Sequence, residues 1–136
     1  FPLVEMCFSG QYSKAEIKKM LVGKGGAVAH LGTNDFREIV SRAAEGEKVY
    51  ADFLRSFCIS VAKYIGAEAT VVAGKVDAII LTGGIAYSQP ITSQITEMVQ
   101  FIAPVEVYPG ENELESLAEN GYGILGGEFE IKTYKR

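Results

Sequence analysis

The 136-residue sequence has little of what would place a protein in a membrane or on nucleic acid. Its longest apolar runs, such as residues 78–81, are far too short to cross a bilayer, and no signal-peptide pattern opens the chain. Basic residues cluster only at Lys132, Lys135 and Arg136, which is typical of a solvated chain end. Because the net charge is -4 and 22% of residues are charged, we expect no nucleic-acid partner, and the short apolar runs predict no membrane partner.

Cysteine and histidine are also scarce. Cys7 and Cys58 lie far apart with no CxxC pairing, so we expect two buried thiols in a cytoplasmic protein. His30, the only histidine, has apolar neighbours, which favours a packed or loop position over a catalytic one. The chain begins at Phe1 and Pro2 without an initiator methionine and within an apolar run, so we expect a piece of a longer protein.

The first half of the chain predicts helices separated by glycine. Ser13 to Glu16 has the form of a capping box, which predicts a short helix to about Leu21. Residues 23–26 are glycine-rich and on their own suggest a flexible linker, and residues 27–31 are expected to be a short apolar link. A turn ending in helix-capping residue types at Asp35 then predicts a helix over about 35–44.

The longest predicted helix covers about residues 47–73. Apolar residues recur there every four positions, and a second apolar row lies beside them. We expect this broad stripe to be buried core. The two rows are Val49, Phe53, Phe57, Val61, Ile65 and Ala69, and Tyr50, Leu54, Cys58 and Ala62.

The second half alternates predicted strands and helices. Residues 76–82 are a short apolar run typical of a strand buried on both faces, and residues 105–108 form a second strand. Pro90 suits the first turn of the helix between them. A last helix, 111–125, should turn Leu114, Leu117, Ala118, Tyr122 and Leu125 inward and stop at Gly126. This order predicts one α/β domain over residues 1–136, with parallel strands and several packed helices.

Two glycines, Gly83 and Gly84, end the first predicted strand. Ligands of open α/β sheets gather at the carboxyl ends of strands, and glycine lets the backbone approach them closely. A tight structural turn explains the same pair equally well. The segment is not a P-loop, because Lys and Ser/Thr do not follow at the required spacing.

Three separated motifs are more specific. They are Leu-Thr-Gly-Gly-Ile-Ala-Tyr-Ser at 81–88, Gly-Lys-Gly-Gly-Ala-Val-Ala-His-Leu-Gly-Thr-Asn-Asp at 23–35, and Phe-Ile-Ala-Pro-Val-Glu-Val-Tyr-Pro-Gly-Glu-Asn-Glu at 101–113. The first resembles the adenosine motif of the acetokinase family, and the other two resemble segments of its butyrate kinases. Together they cover nearly the whole chain in family order. The resemblance implies the C-terminal, nucleotide-binding part of an actin-like, RNase H-like kinase domain.

The resemblance also implies an activity for the parent protein. ATP would transfer phosphate to butyrate or a related short or branched fatty acid, giving ADP and an acyl phosphate, with Mg²⁺ as cofactor and a homo-oligomeric subunit arrangement. We expect no catalytic residue in this chain, since it has no candidate for the phosphate-gripping turns, and we expect the isolated piece to be inactive. The alternative is a non-catalytic dimerisation or assembly module of the same fold.

The resemblance assigns Asp35, Phe36 and Arg37 to the surroundings of adenine. An aromatic ring and a guanidinium can both lie flat on a purine, and a carboxylate can accept from a base or ribose donor. A plain helix start is the competing interpretation, with Asp35 as the cap, Phe36 in the core and Arg37 in solvent.

The same resemblance assigns Gly83, Gly84 and Ile85 to the adenosine motif, with Ser88 as a ribose contact. Ala86 replaces a further glycine of acetate kinases, and Tyr87-Ser88 replaces an acidic and an amide residue, which favours a butyrate or branched-acid kinase. Glu113 matches an acidic segment that helps to hold magnesium. A carboxylate at a helix start is equally explained by the helix dipole.

Overall fold

The computed structural model describes residues 1–131 and residue 133; the basic cluster of Lys132, Lys135 and Arg136 therefore lies outside the described residues. The elements follow in chain order: α1 (Pro2–Phe8), α2 (Lys14–Leu21), α3 (Ala27–Leu31), α4 (Phe36–Ala44), α5 (Lys48–Val71), β1 (Ile79–Gly83), a 3₁₀ turn (Gly84–Tyr87), α6 (Gln89–Val99), β2 (Val105–Pro109) and α7 (Glu113–Leu125). Within the described part, no helix is both long and apolar enough to span a membrane.

Side-chain caps begin two of the predicted helices. At α2 the Ser13 hydroxyl accepts from the Glu16 backbone N–H at 3.3 Å, and the Glu16 carboxylate accepts from the Ser13 N–H at 2.7 Å. This capping box confirms the predicted start. At α4 the Asp35 carboxylate accepts from the Arg37 N–H at 2.9 Å. Both caps satisfy backbone donors that the first helical turn leaves unpaired.

The predicted apolar link at 27–31 is wrong, because these residues form the helix α3. Gly26 precedes it with φ 55°, and Gly32 ends it in the left-handed conformation with φ 74°. The Gly32 N–H donates to the Val28 carbonyl at 3.0 Å. Gly26 and Gly32 thus mark the two ends of a single helical turn, at a place where the sequence predicted only an apolar link.

Strands β1 and β2 are parallel neighbours, as predicted, and α6 makes the crossover between them. Ile79 lies opposite Val105, and Gly83 lies opposite Pro109. The first strand starts three residues later than expected and is not buried on both faces. Ile79 is 8% exposed, whereas Ile80 on the opposite face is 62% exposed. Among the described residues, helices pack on only one face of the pair.

The core joins α4, α5, α6 and β1. Its buried members are Ile39, Tyr50, Leu54, Cys58, Ile79, Ile91, Ile95, Val99 and Ala103. On α5 the second predicted row is the deeper one, since Tyr50, Leu54 and Cys58 are buried while Val49 of the first row is 58% exposed. The expectation of two buried thiols holds for Cys58 and is wrong for Cys7, which is exposed on α1.

The predicted inward face of α7 is wrong. The side chains of Leu114, Leu117, Tyr122 and Leu125 are between 69% and 84% exposed. Gly123 is the buried residue of this helix, and it faces the ring of Phe129. The apolar stripe is present as the sequence predicts, but no other described segment covers it. The helix itself ends at Gly126, as expected.

Candidate functional site

A cleft of about 960 Å³ opens between the start of α4 and the turn that follows β1. It is lined by Asn34, Asp35, Phe36, Arg37, Val40, Thr82, Gly83, Gly84, Ile85, Tyr87, Ser88, Gln89, Pro90 and Glu111. The lining includes all seven residues that the sequence analysis named as nucleotide contacts. The fold therefore brings two segments that are far apart in the chain to one cavity, at the carboxyl end of β1.

Asp35 and Arg37 form a bidentate ion pair on the α4 side. The Arg37 Nε and a terminal guanidinium nitrogen donate to the two Asp35 carboxylate oxygens at 3.0 and 2.7 Å. These hydrogen bonds are the main reason why the pKa of Asp35 falls to about 2, with the Arg37 backbone N–H adding to the effect. The Asp35 carboxylate is ionised at neutral pH and holds a largely exposed guanidinium in one orientation.

The competing interpretation of this segment as a plain helix start is also met, and the Arg37 side chain is 93% exposed to solvent as it expected. Asp35 caps α4, and Phe36 is half-buried with its ring centroid 4.7 Å from that of Phe57. Phe36 still contributes to the cleft lining. Structural and binding roles are therefore compatible here, because the same cap that starts the helix fixes the groups at its surface.

The glycines on the other side leave room beside the backbone. Gly83 has φ 84°, a conformation that side-chain-bearing residues rarely adopt. A Cβ placed on Gly83 or on Gly84 would meet no atom of the described residues within 4 Å. The open space is on the cleft side of a strand end that two backbone hydrogen bonds, 3.2 and 3.1 Å long, tie to Gly110. A ligand can approach this backbone closely.

Ser88 carries an unsatisfied hydroxyl. Its Oγ is buried and has no hydrogen-bond partner among the described residues, although Ser88 is the N-cap residue directly before α6. A serine at the N-cap position ordinarily uses its hydroxyl oxygen to accept a hydrogen bond from a backbone N–H of the first helical turn. A buried hydroxyl without a partner costs about 1–3 kcal/mol, so a ligand group that bonded to it would recover that loss.

Sequence reasoning missed several lining residues. Tyr87 and Gln89 adjoin the named motif, and their place next to it was the available signal. Glu111 lines the cleft, whereas Glu113, the predicted metal ligand, is exposed at the first position of α7 and is not part of the lining. His30 is exposed on α3, with its ring centroid 5.8 Å from that of Phe53, and is likewise outside the cleft.

Known proteins carry the same sequence pattern. The model of the Acetokinase family matches residues 6–121, which is most of the chain. The chain belongs to the acetokinase family. It is 50% identical over 133 residues to a probable butyrate kinase of Bacteroides thetaiotaomicron and to butyrate kinase 1 of Clostridium acetobutylicum. In each case the match covers 98% of this chain and 38% of the relative, so this acetokinase-family chain spans well under half the length of either.

A solved structure shows the same fold. The acetate kinase of Porphyromonas gingivalis matches with a TM-score of 0.76 over 91% of this chain and 37% of that protein, at 20% sequence identity. The likeness confirms the predicted fold class, an α/β arrangement of parallel strands and packed helices of the actin-like kinase type. It concerns the fold alone, because 20% identity is too low to carry residue roles.

Proposed function

We propose that this acetokinase-family chain is the nucleotide-binding, C-terminal part of an acyl kinase. The parent protein would transfer phosphate from ATP to butyrate or a related short or branched fatty acid, giving ADP and an acyl phosphate. One observation carries the proposal: the segments around Asp35 and Gly83, matched separately to adenine and adenosine motifs, line a single cleft. Two relatives that are 50% identical over the chain bear the name butyrate kinase.

The base would lie against the α4 side of the cleft. Arg37 offers a flat guanidinium that Asp35 already orients, and guanidinium planes stack on aromatic rings. Because the ion pair forms without ligand, little side-chain freedom is lost on binding. The half-buried Phe36 would add apolar contact.

The sugar would lie against the turn after β1. Gly83 and Gly84 leave their backbone accessible, and Ser88 supplies the hydroxyl that lacks a partner among the described residues. A ribose hydroxyl has the donor and acceptor that this oxygen needs. The cleft, at about 960 Å³, is of the size that small-molecule sites usually have.

The described residues hold no preformed cluster of metal ligands. They contain no group of three or more His, Cys, Asp and Glu side chains placed to hold an ion, and Glu113 lies outside the cleft lining. We therefore derive no step through Mg²⁺, which stays a prediction from the resemblance, as do a homo-oligomeric state and a cytoplasmic location. Contacts to base and ribose act alike in the ground and transition states, so this part of the protein contributes affinity, not rate.

A glycine substitution tests the nucleotide site. In the full-length protein, Gly84→Val would place a branched side chain in the open space of the cleft and should weaken ADP binding by roughly tenfold or more. Gly66→Val is the matched control, because Gly66 also has open space around it and no positive φ but lies on α5, outside the cleft lining. Isothermal titration with ADP measures both. Equal affinity in the wild type and in Gly84→Val would refute the assignment.

The second candidate function is an assembly module. It is supported by the exposed apolar stripe of α7, in which Leu114 and Leu125 are each 84% exposed. Proteolysis with and without ADP, and self-association of the chain at increasing concentration, distinguish nucleotide binding from an assembly role. Nucleotide binding predicts that ADP slows its proteolysis, whereas an assembly role alone predicts concentration-dependent self-association with no protection by ADP.

A further inference from the structure

The side chain of Tyr87 lines the cleft, and its hydroxyl end lies against Gly110. Tyr87 is the last residue of the 3₁₀ turn after β1, and Gly110 directly follows β2. A Cβ placed on Gly110 would be 2.6 Å from the Tyr87 hydroxyl oxygen and 3.4 Å from Cζ. The hydroxyl end of the Tyr87 side chain therefore occupies the space that a side chain at Gly110 would need.

Gly110 is itself fixed to the end of β1. It exchanges two backbone hydrogen bonds with Gly83, and its carbonyl also accepts from the Thr82 hydroxyl at 3.3 Å. With φ +100°, it adopts a conformation that favours glycine. Gly110 thus belongs to a hydrogen-bonded junction between the carboxyl ends of both strands, which is also where the proposed sugar site lies.

The position of Tyr87 is unusual for a large aromatic side chain. It is 72% exposed although its hydroxyl end lies against Gly110, and it belongs to the cleft lining between the adenosine-motif glycines and Ser88. A solvent-exposed ring contributes little to folding, since most of its surface stays in water. The same ring offers a preformed apolar and aromatic surface to a ligand in the cleft.

We propose that Tyr87 is a nucleoside-contacting residue whose position is set by the absence of a side chain at Gly110. The ring packs against the nucleoside of a bound nucleoside diphosphate or triphosphate. The phenol hydroxyl is turned to Gly110 and is not the recognising group. This inference rests on the proposed function and deepens it, because it adds a nucleoside contact at Tyr87, a residue to which the family resemblance assigned no contact.

Four variants of the full-length protein test the inference by titration with ADP. Tyr87→Ala should weaken ADP binding roughly five- to tenfold, while Tyr87→Phe should stay within about twofold of the wild type, since the ring is kept. Gly110→Ala should weaken binding as much as Tyr87→Ala, because the added methyl displaces the ring. The double variant Tyr87→Ala, Gly110→Ala should bind no more weakly than Tyr87→Ala alone.

The double variant separates ring displacement from backbone strain at Gly110. If the losses of ADP binding free energy in the two single variants simply added in the double variant, Gly110→Ala would act through backbone strain. That result would overturn the positioning role of Gly110. Unchanged ADP affinity in Tyr87→Ala, with saturable binding by the wild type, would overturn the contact and leave the proposed function standing. Absence of ADP binding by the folded wild type would sink the proposed function itself. Circular dichroism confirms folding of each variant, and Tyr87→Leu replaces Tyr87→Ala if the latter fails to fold.

Discussion

The burial of Ile39 should determine how well the cleft binds nucleotide. Ile39 is 0% exposed, and its N–H donates to the Asp35 carbonyl at 3.1 Å, one turn from the ion pair. It is the buried residue of α4 and belongs to the core that α5 and α6 share. Truncating it would loosen the attachment of the helix that presents Asp35 and Arg37.

The loss of stability follows from the burial. Ile→Ala in a fully buried site costs about 2–5 kcal/mol, through lost transfer energy and the cavity left behind. At a urea dependence of about 1–3 kcal/mol per M, a loss of about 4 kcal/mol lowers the unfolding midpoint by roughly 1–4 M. Domains have only about 5–15 kcal/mol in total, so Ile39→Ala is among the most damaging single changes expected here.

The assay compares Ile39→Ala with Ile95→Ala. Ile95 is 4% exposed in the same core but lies on α6 and is not part of the cleft lining, so the same truncation should cost a similar amount of stability. Urea unfolding of the chain and ADP titration of the full-length protein are the two measurements. We expect both variants to lose stability and only Ile39→Ala to lose ADP affinity as well. Equal ADP affinity in the two would refute the reasoning that core packing of α4 positions the site.

Three further predictions address chemistry and activity. The isolated chain should show no acyl-phosphate formation from ATP, Mg²⁺ and butyrate, unlike the full-length protein, because it offers nothing for the acyl carboxylate; measurable turnover would mean that catalytic groups lie within it. Arg37 lowers the pKa of Asp35 from 3.8 to about 2, so the stability that this carboxylate adds is present above about pH 4 and is lost as the pH falls to 2. Urea curves of wild type and Asp35→Asn should therefore differ at pH 7 and converge near pH 2. A thiol reagent should label Cys7 in the native chain but not Cys58, whose burial raises its pKa; labelling of both would contradict the buried position.

The helix starts could be predicted because their causes are local. The capping box at Ser13 and the carboxylate cap at Asp35 involve residues two or three positions apart, so the sequence contains the complete interaction. The parallel pairing of β1 and β2 was predictable for a similar reason, since one helix of ordinary length separates the two strands. The single turn of α3 was missed, because apolar residues between glycine-rich segments carry no periodic signal of that length.

The sequence predicted the two segments that line the cleft, but it did not predict the shape of the cleft or its other lining residues. The family motifs named Asp35 and Gly83, and the fold brings both to one cavity. The contact of Tyr87 with Gly110 could not be predicted, because it depends on the register of β2 against β1, which places Pro109 opposite Gly83 and Gly110 one residue beyond. The sequence predicted only a turn at Gly110, whereas in the structure the hydroxyl end of Tyr87 also lies against this glycine.

The wrong prediction for α7 has a physical cause that also bears on function. The 3.6-residue period of Leu114, Leu117 and Leu125 predicts an amphipathic helix, and the helix forms. Periodicity specifies that one face will be covered, but it does not specify by what. No described segment covers this face, and the exposed Ile80 face of β1 is uncovered in the same way. Apolar surface left in water on two elements is unfavourable, so both faces indicate contact with something beyond the described residues. The proposed acyl kinase would cover these faces with other parts of the same protein, whereas the assembly alternative would cover them with a second copy of the chain.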